Sequence, residues 1–420
     1  MSMTLVEKIF ARHAGKSSVK AGDLVTVDVD YCMANDATMR LNVDIVENKL
    51  KAKFLHDPSR VVIIMDHQVP ADSPQTAEVH EMSKQFTKKY NIDKFHASDG
   101  ICHQLMVESY VLPGQLIVGA DSHSPSYGAL GALGCGMGST DICAAMVTGK
   151  TWVKIPPIVR VILQGSLQDS VYPKDIILAL IKKTGVGGMV YKAVEFQGDA
   201  VKQFSVSERF TLCNMTTEAG AKTSVIAPDQ QVYDYLKKQR NIEIVPENWW
   251  YSDKNAKYEA TITIDLDNLV PQVACPHSVD NVHPIDEVEG IKIDQAFLGA
   301  CTNARIDDLR IAAEVLRGKK IHPDVRLHVA PASRDVQRQA MREGIMEILL
   351  DAGAVLNHTG CSTCWGAHQG VLGNGQVLIS SQNRNFRGRS GSKDAFIYLA
   401  SPKTVAMSAL KGVISDPRKV

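Results

Sequence analysis

The sequence predicts an α/β protein built from several domains. Two observations carry this reading. Short β-branched or apolar runs, Arg60-Val-Val-Ile-Ile-Met65, Gln115-Leu-Ile-Val-Gly119 and Ala296-Phe-Leu-Gly299, recur between stretches of helical spacing. Each run ends at chemically capable residues: Asp66-His67, Asp121-Ser122-His123 and Cys301. Loops beyond strand C-termini are where α/β folds place their sites.

The elements follow in order. Leu5 to Ala14 sets apolar side chains at helical spacing, and Gly15 is a stop. Asp23 to Asp28 alternates as a strand does. Ala129 to Lys150 reads as a small-residue helical segment with Gly131, Gly134, Gly136 and Gly138. These glycines do not make a dinucleotide fingerprint, because G-x-G-x-G inside a helical run is not G-x-G-x-x-G opening one; close helix packing is their expected use. Ile155-Pro156-Pro157 breaks the chain. A second alternating region runs from Val159 to about Ile264, Pro271 to Pro276 and Pro284 punctuate the next boundary, and a third region runs from Gly290 onward. The expected domains are 1–156, 157–282 and 283–420.

With 420 residues, 45% hydrophobic and 22% charged, the composition is that of an ordinary globular protein. Lys+Arg and Asp+Glu both number 46, so the net charge is zero and gives no electrostatic case for nucleic acid or an anionic membrane. The apolar runs are too short to span a bilayer, and the polar, amphipathic N-terminus is not a secretory signal. Nine cysteines in a chain this long are not a disulfide framework. A reducing cytoplasm is the expected compartment.

Three cysteines stand apart: Cys301, and Cys361-Ser362-Thr363-Cys364 on one turn. Three thiols can hold three corners of a four-iron cluster and leave the fourth iron without a protein ligand. Four thiolates usually serve electron transfer, whereas an open metal position can act on substrate as a Lewis acid. A zinc site with His358 as fourth ligand is the rival, and buried, unliganded thiols are the plainer reading. Cys32, Cys102, Cys135, Cys143, Cys213 and Cys275 read as isolated structural thiols. In Asp66-His67 a carboxylate can orient an imidazole and raise its pKa; the plain alternative is a histidine satisfied by backbone groups. Asp121 and His123 would share a face if extended. No G-x-S-x-G elbow surrounds Ser122, which argues against a serine hydrolase. Asn383-Arg384-Asn385-Phe386-Arg387-Gly388-Arg389 is either a solvated basic turn or a carboxylate clamp.

Further stretches join these: Met65-Asp66-His67, Gly100-Ile-Cys-His-Gln104, Gly119-Ala-Asp-Ser-His123 with Tyr127-Gly-Ala-Leu-Gly131, Gly138-Ser-Thr-Asp141, Cys213-Asn-Met-Thr-Thr-Glu218 and Gly299-Ala-Cys-Thr-Asn303. Together, in this order, and spanning nearly the whole chain, they resemble the aconitase superfamily, and more closely the large subunit of two-subunit isopropylmalate/homoaconitate hydro-lyases. The resemblance implies a three-domain α/β large subunit of parallel or mixed sheets flanked by helices. It implies one 4Fe-4S cluster per chain on Cys301, Cys361 and Cys364, with a labile iron that binds the substrate hydroxyl and a carboxylate. Asp66 and His67 match the pair that helps the hydroxyl leave; Asp121 and His123 match residues around the iron-bound water. Asn214 and Glu218 match an Asn/Glu pair near the cluster and that hydroxyl. Arg384 and Arg389 match carboxylate-binding arginines, with Asn383 and Ser122 beside them, and Asn35 matches a substrate-contacting position.

The chain departs from the pattern in two ways. Ser362, Thr363 and Trp365 fill the cysteine turn where relatives commonly carry Gly-Pro or Ala-Met and a small or aliphatic residue. The family's swivelling fourth domain, which supplies the base, has no counterpart before Val420. A separate small subunit is therefore the expected partner, with the chain nearly inactive alone. The implied reaction is reversible dehydration of a hydroxy di- or tricarboxylic acid, with 3-isopropylmalate in leucine biosynthesis as first choice and homoaconitate, citramalate or 2,3-dimethylmalate as alternatives. A non-catalytic zinc- or cluster-binding regulator is the alternative of another class.

Overall fold

Each short apolar run of the sequence becomes a strand buried on both faces, which is how parallel strands under helices are built. The computed structural model describes residues 2–419. Val61–Ile64, Leu116–Gly119 and Gln295–Leu298 are buried along their whole length. The first two belong to a five-stranded parallel sheet in the order Lys94–His96, Val61–Ile64, Tyr31–Asn35, Leu116–Gly119, Leu133–Gly136. A four-stranded parallel sheet follows, ordered Thr223–Ile226, Ala193–Gln197, Ile158–Gln164, Ala260–Asp265.

The third sheet has seven strands: Val282–Pro284, Gln272–Ala274, Phe396–Leu399, Val377–Ser380, Gln295–Leu298, Arg326–Val329, Val355–Leu356. It is parallel except where Gln272–Ala274 pairs antiparallel with both its neighbours. This sheet therefore has strands on both sides of residue 282. A separate antiparallel pair, Leu24–Asp28 with Lys150–Lys154, closes the first region just ahead of the Ile155-Pro156-Pro157 break.

The N-terminal helix spans Leu5–His13. It starts where Thr4 and Glu7 form a capping box, which satisfies two N–H groups the helix cannot. The small-residue stretch departs from expectation. Instead of one helix it forms a 3-10 turn at Ser124–Leu130, the strand Leu133–Gly136 and a helix at Ser139–Thr148. Packing of a strand, not a helix, explains the glycines: a Cβ on Gly134 would lie 1.9 Å from Ser124 O. Among the described residues no helix is long and apolar enough to cross a membrane.

Candidate functional site

The site lies where loops leave the C-terminal ends of strands in two sheets. Val61–Ile64 leads into Asp66-His67, Leu116–Gly119 into Asp121–His123, Gln295–Leu298 into Cys301, Val355–Leu356 into Cys361–Cys364, and Val377–Ser380 into Asn383–Arg389. The second sheet's region adds the end of helix Val206–Met215 and the turn Thr216–Ala219, which carry Asn214 and Glu218.

These loops enclose a cavity of about 70 Å³, lined among others by His67, Asp121, His123, Cys301, Cys361 and Cys364. Asn383, Arg384 and Arg389 line it as well. Asp66 is fully buried behind His67 and fixes it: Oδ1 lies 2.7 Å from His67 Nδ1, and Oδ2 accepts from Cys102 N at 2.7 Å. Asp36 holds the same loop, accepting from the backbone N–H of Asp66, His67 and Gln68 at 3.2, 3.0 and 2.8 Å. His67 Nε2 is left facing Asp121 Oδ2 at 3.6 Å. Burial works against a charged His67 ring, yet Cys361, Asp66, Asp121 and Asp36 together hold its pKa well above the usual histidine range.

Asp121-Ser122-His123 is not extended; it is a turn. The two side chains meet all the same, because Asp121 Oδ1 accepts from His123 N at 2.8 Å, with His123 Nδ1 3.4 Å away. Asp121 Oδ1 also lies 2.7 Å from His103 Nε2. Burial would raise the Asp121 carboxyl, but His103, His123 and His67 pull it well below the usual range. His123 Nε2 lies 2.8 Å from Glu218 Oε1. Arg384 donates from Nε to Glu218 at 2.9 Å and from Nη2 to Ser122 Oγ at 2.9 Å. Glu218 is buried, which works against its charge, but His123 and Arg384 bring its pKa below the ordinary value. Ser122, Asn214 and Glu218 stand just outside the cavity lining. Asn35 does not line it either: it ends the strand beneath the Asp66 loop, takes Thr38 Oγ1 at 3.4 Å, and has a buried, unpartnered Nδ2.

Donors reach two of the three candidate ligand sulfurs. Asn214 Nδ2 and Asn383 Nδ2 reach Cys301 Sγ at 3.1 and 3.3 Å, and Arg389 Nη2 reaches Cys364 Sγ at 3.6 Å. Thr302 Oγ1 in turn donates to Asn214 Oδ1 at 2.9 Å. Amide and guanidinium donors on cysteine sulfur suit thiolates that hold a cluster. Among the described residues no amide or guanidinium donor reaches Cys361, whose Sγ lies 3.8 Å from Asp66 Oδ2, or Cys102, which also lines the cavity. His358 is not in the lining; its Nδ1 lies against Thr359 O at 2.7 Å, so the expected zinc arrangement lacks its fourth ligand. The residue set accommodates a three-thiol cluster, and His358 does not complete a zinc site with the three cysteines.

The loops meet through close backbone contacts. Cys361 N donates to Asp66 O at 2.8 Å. Gly366, at φ 87°, brings the cysteine turn against the Arg389 loop, where a Cβ would lie 1.9 Å from Arg389 O. Sequence reasoning passed over His103, although it sits inside the Gly100–Gln104 stretch, and also Asp36. It missed Arg305, whose guanidinium donates to Cys301 O at 2.8 Å while stacking 4.6 Å over Phe210. No local pattern marks a buried arginine that works through backbone carbonyls.

The aconitase family (aconitate hydratase) profile matches residues 7–412. The chain is 45% identical over 420 residues to the 3-isopropylmalate dehydratase large subunit 1 of Methanopyrus kandleri, covering 100% of this chain and 99% of the relative. It is 49% identical over 395 residues to the probable methanogen homoaconitase large subunit of Methanosarcina mazei, covering 94% and 99%. In fold it is similar to the crystal structure of Thermococcus kodakaraensis aconitase X in its holo form, with TM-score 0.52, 14% identity and 88% of each chain covered. The chain belongs to the aconitase family, and it is a hydro-lyase of the aconitase type.

Proposed function

We propose that the chain is the large subunit of a hydro-lyase that reversibly dehydrates 3-isopropylmalate, with a 4Fe-4S cluster on Cys301, Cys361 and Cys364. One observation carries the reading: three thiols from two loops line the same small cavity as His67, which Asp66 holds from behind, and two arginines. When bound, the cluster supplies an electrophilic iron with a position open to a substrate hydroxyl and carboxylate. The remaining work belongs to side chains. His67, kept protonated by its acidic neighbours, passes a proton to the departing hydroxyl while Asp66 keeps its ring in place. Asp121, held by His103 and His123, orients the water side of the reaction. Glu218 and Ser122 hold Arg384 toward the cavity, and Arg384 and Arg389 take the carboxylates. Asn214 and Asn383 tune the Cys301 sulfur.

The base that removes the carbon-bound proton lies, in this reading, on a separate small subunit, as the "large subunit" names of the relatives suggest. A cavity of about 480 Å³ opens beside Asp121 and Ser122, between Gly136, Tyr191 and Lys222, and gives such a partner a way in. Homoaconitate is the second reading, favoured by the similarity to the Methanosarcina mazei protein. Anaerobic reconstitution with the small subunit, followed by an ultraviolet assay for unsaturated product across a panel of hydroxy acids, tests both. The expected result is roughly four irons and four sulfides per chain, with turnover only when the partner is present. Stoichiometric zinc would overturn the cofactor, and brisk turnover by the cluster-loaded chain alone would overturn the partner.

A further inference from the structure

Trp365 is the side chain in the cysteine turn that the mechanism leaves without a task. Its ring meets the ring of His67 edge to face, with centroids 4.7 Å apart and planes at 89°. It also lines the catalytic cavity. The polar part of that lining has assigned partners: arginines for carboxylates, and His67, Asp121 and His123 for the hydroxyl. Once Cys301, Cys361 and Cys364 are committed to metal, the apolar walls that remain are Trp365, Ile101 and the small Cys102 side chain. A substrate whose carboxylates and hydroxyl are held by the polar groups has one substituent left over, and these walls are what it meets.

We infer that Trp365 is a specificity-determining residue, selecting a hydroxy diacid with a compact branched alkyl substituent over one that carries a third carboxylate. The inference rests on the hydro-lyase reading above and deepens it. An alkyl group leaves water when it packs on an indole. A carboxylate in the same place would lose its hydration against the apolar indole, while the cations of the lining, Arg384, Arg389 and His67, are taken by the other carboxylates and the hydroxyl. The selection is therefore two-sided, attraction for one substituent and rejection of the other. A smaller side chain at this position would offer less apolar surface for either effect.

The test uses the cluster-loaded chain with its small subunit, as wild type, Trp365→Phe and Trp365→Ala. Two readouts are taken: kcat and KM for dehydration of 3-isopropylmalate and for hydration of homoaconitate, an unsaturated tricarboxylate, and calorimetric affinity for isopropylsuccinate, an unreactive diacid without the hydroxyl. Trp365→Ala is expected to lower kcat/KM for 3-isopropylmalate about tenfold or more, mostly through KM. It should weaken isopropylsuccinate by a similar factor and leave homoaconitate unchanged or improved. Trp365→Phe, which keeps an aromatic wall but removes the indole N–H, should retain most of the preference. Equal losses on both substrates, through kcat, would mean that Trp365 merely steadies His67, and would overturn the inference while the hydro-lyase reading stands. A wild type that prefers homoaconitate would overturn it in the same way. A wild type that turns over neither acid removes the substrate reading proposed above, and the inference falls with it.

Discussion

Ser362 sits at φ 52°, in the left-handed region that a Cβ disfavours. Its hydroxyl explains why a side chain is tolerated there: Asn357 Nδ2 donates to Ser362 Oγ at 2.7 Å and ties the turn to the strand Val355–Leu356. Ser362→Ala keeps the backbone penalty and loses the hydrogen bond, so it should cost about 1 kcal/mol in chemical denaturation. Ser362→Gly loses the same bond but relieves the backbone, and should cost less than the alanine. A glycine variant less stable than the alanine would contradict this account. Glu108 makes a prediction of another kind. Burial pushes its carboxyl up to about 7 from 4.5, although Gln104 and Ser333 donate to it. Between those pH values the folded chain keeps a proton that the unfolded chain has released. Stability therefore falls as pH rises through that window, by up to about 3 kcal/mol. Glu108→Gln removes the titration, and a turned Gln104 amide, whose Oε1 now lacks a partner, could accept from the new one. Its Tm should exceed wild type at pH 8 and approach it near pH 4.5.

Helix Pro173–Thr184 sends Lys174 into the third sheet's territory, where Nζ donates to Ser381 O at 2.8 Å and Gln382 O at 2.6 Å. Burial brings this amine down to about 7. The two carbonyls belong to the segment that leads directly into Asn383 and Arg384, so a helix of one region sets the position of a substrate arginine in another. Lys174→Met should leave both carbonyls unpaired, cost about 2–4 kcal/mol, and raise KM more than it lowers kcat. Unchanged KM with lowered stability would confine Lys174 to folding. The strands that deliver the site were legible in the sequence, because Val61–Ile64 and Leu116–Gly119 are apolar runs of strand length that stop at polar residues. The sulfur-bearing turn was legible from Cys361-x-x-Cys364. The stretch around Gly134 was misread as helix because small residues satisfy either period, and only the nearby Ser124 carbonyl decides against a side chain. Lys174 was illegible because its partners are backbone carbonyls 207 and 208 residues away; Arg305 was illegible because it serves nearby backbone carbonyls and the distant Thr211 hydroxyl, and carbonyls carry no residue type to read.

Beside the apolar core that the second and third sheets share, hydrogen bonds at the site join all three sheets. Cys361 N to Asp66 O at 2.8 Å and Ile101 N to Ala332 O at 2.8 Å tie the third sheet to the first. His123 to Glu218 at 2.8 Å ties the first to the second, and Asn214 to Cys301 at 3.1 Å ties the second to the third. A cluster on Cys301, Cys361 and Cys364 would bridge two loops of the third sheet, and each of those loops is already hydrogen-bonded to another region. Binding that favours the folded chain raises its stability by mass action, and here the gain should spread along these contacts. Compared with the metal-free chain, the cluster-loaded chain should melt at a higher temperature. Hydrogen exchange should slow at 300–303 and 361–366, and also at 66–68 and in the helix Cys102–Ser109, which contribute no cysteine ligand in this reading but are fastened to the site through Asp66. Asp66→Ala, loaded with cluster, separates the two contributions: protection should persist at the cysteine loops and be lost at Cys102–Ser109. If protection never extends beyond the cysteine loops in the wild type, the contacts through Asp66 carry no coupling, and the sheets respond to the cluster independently.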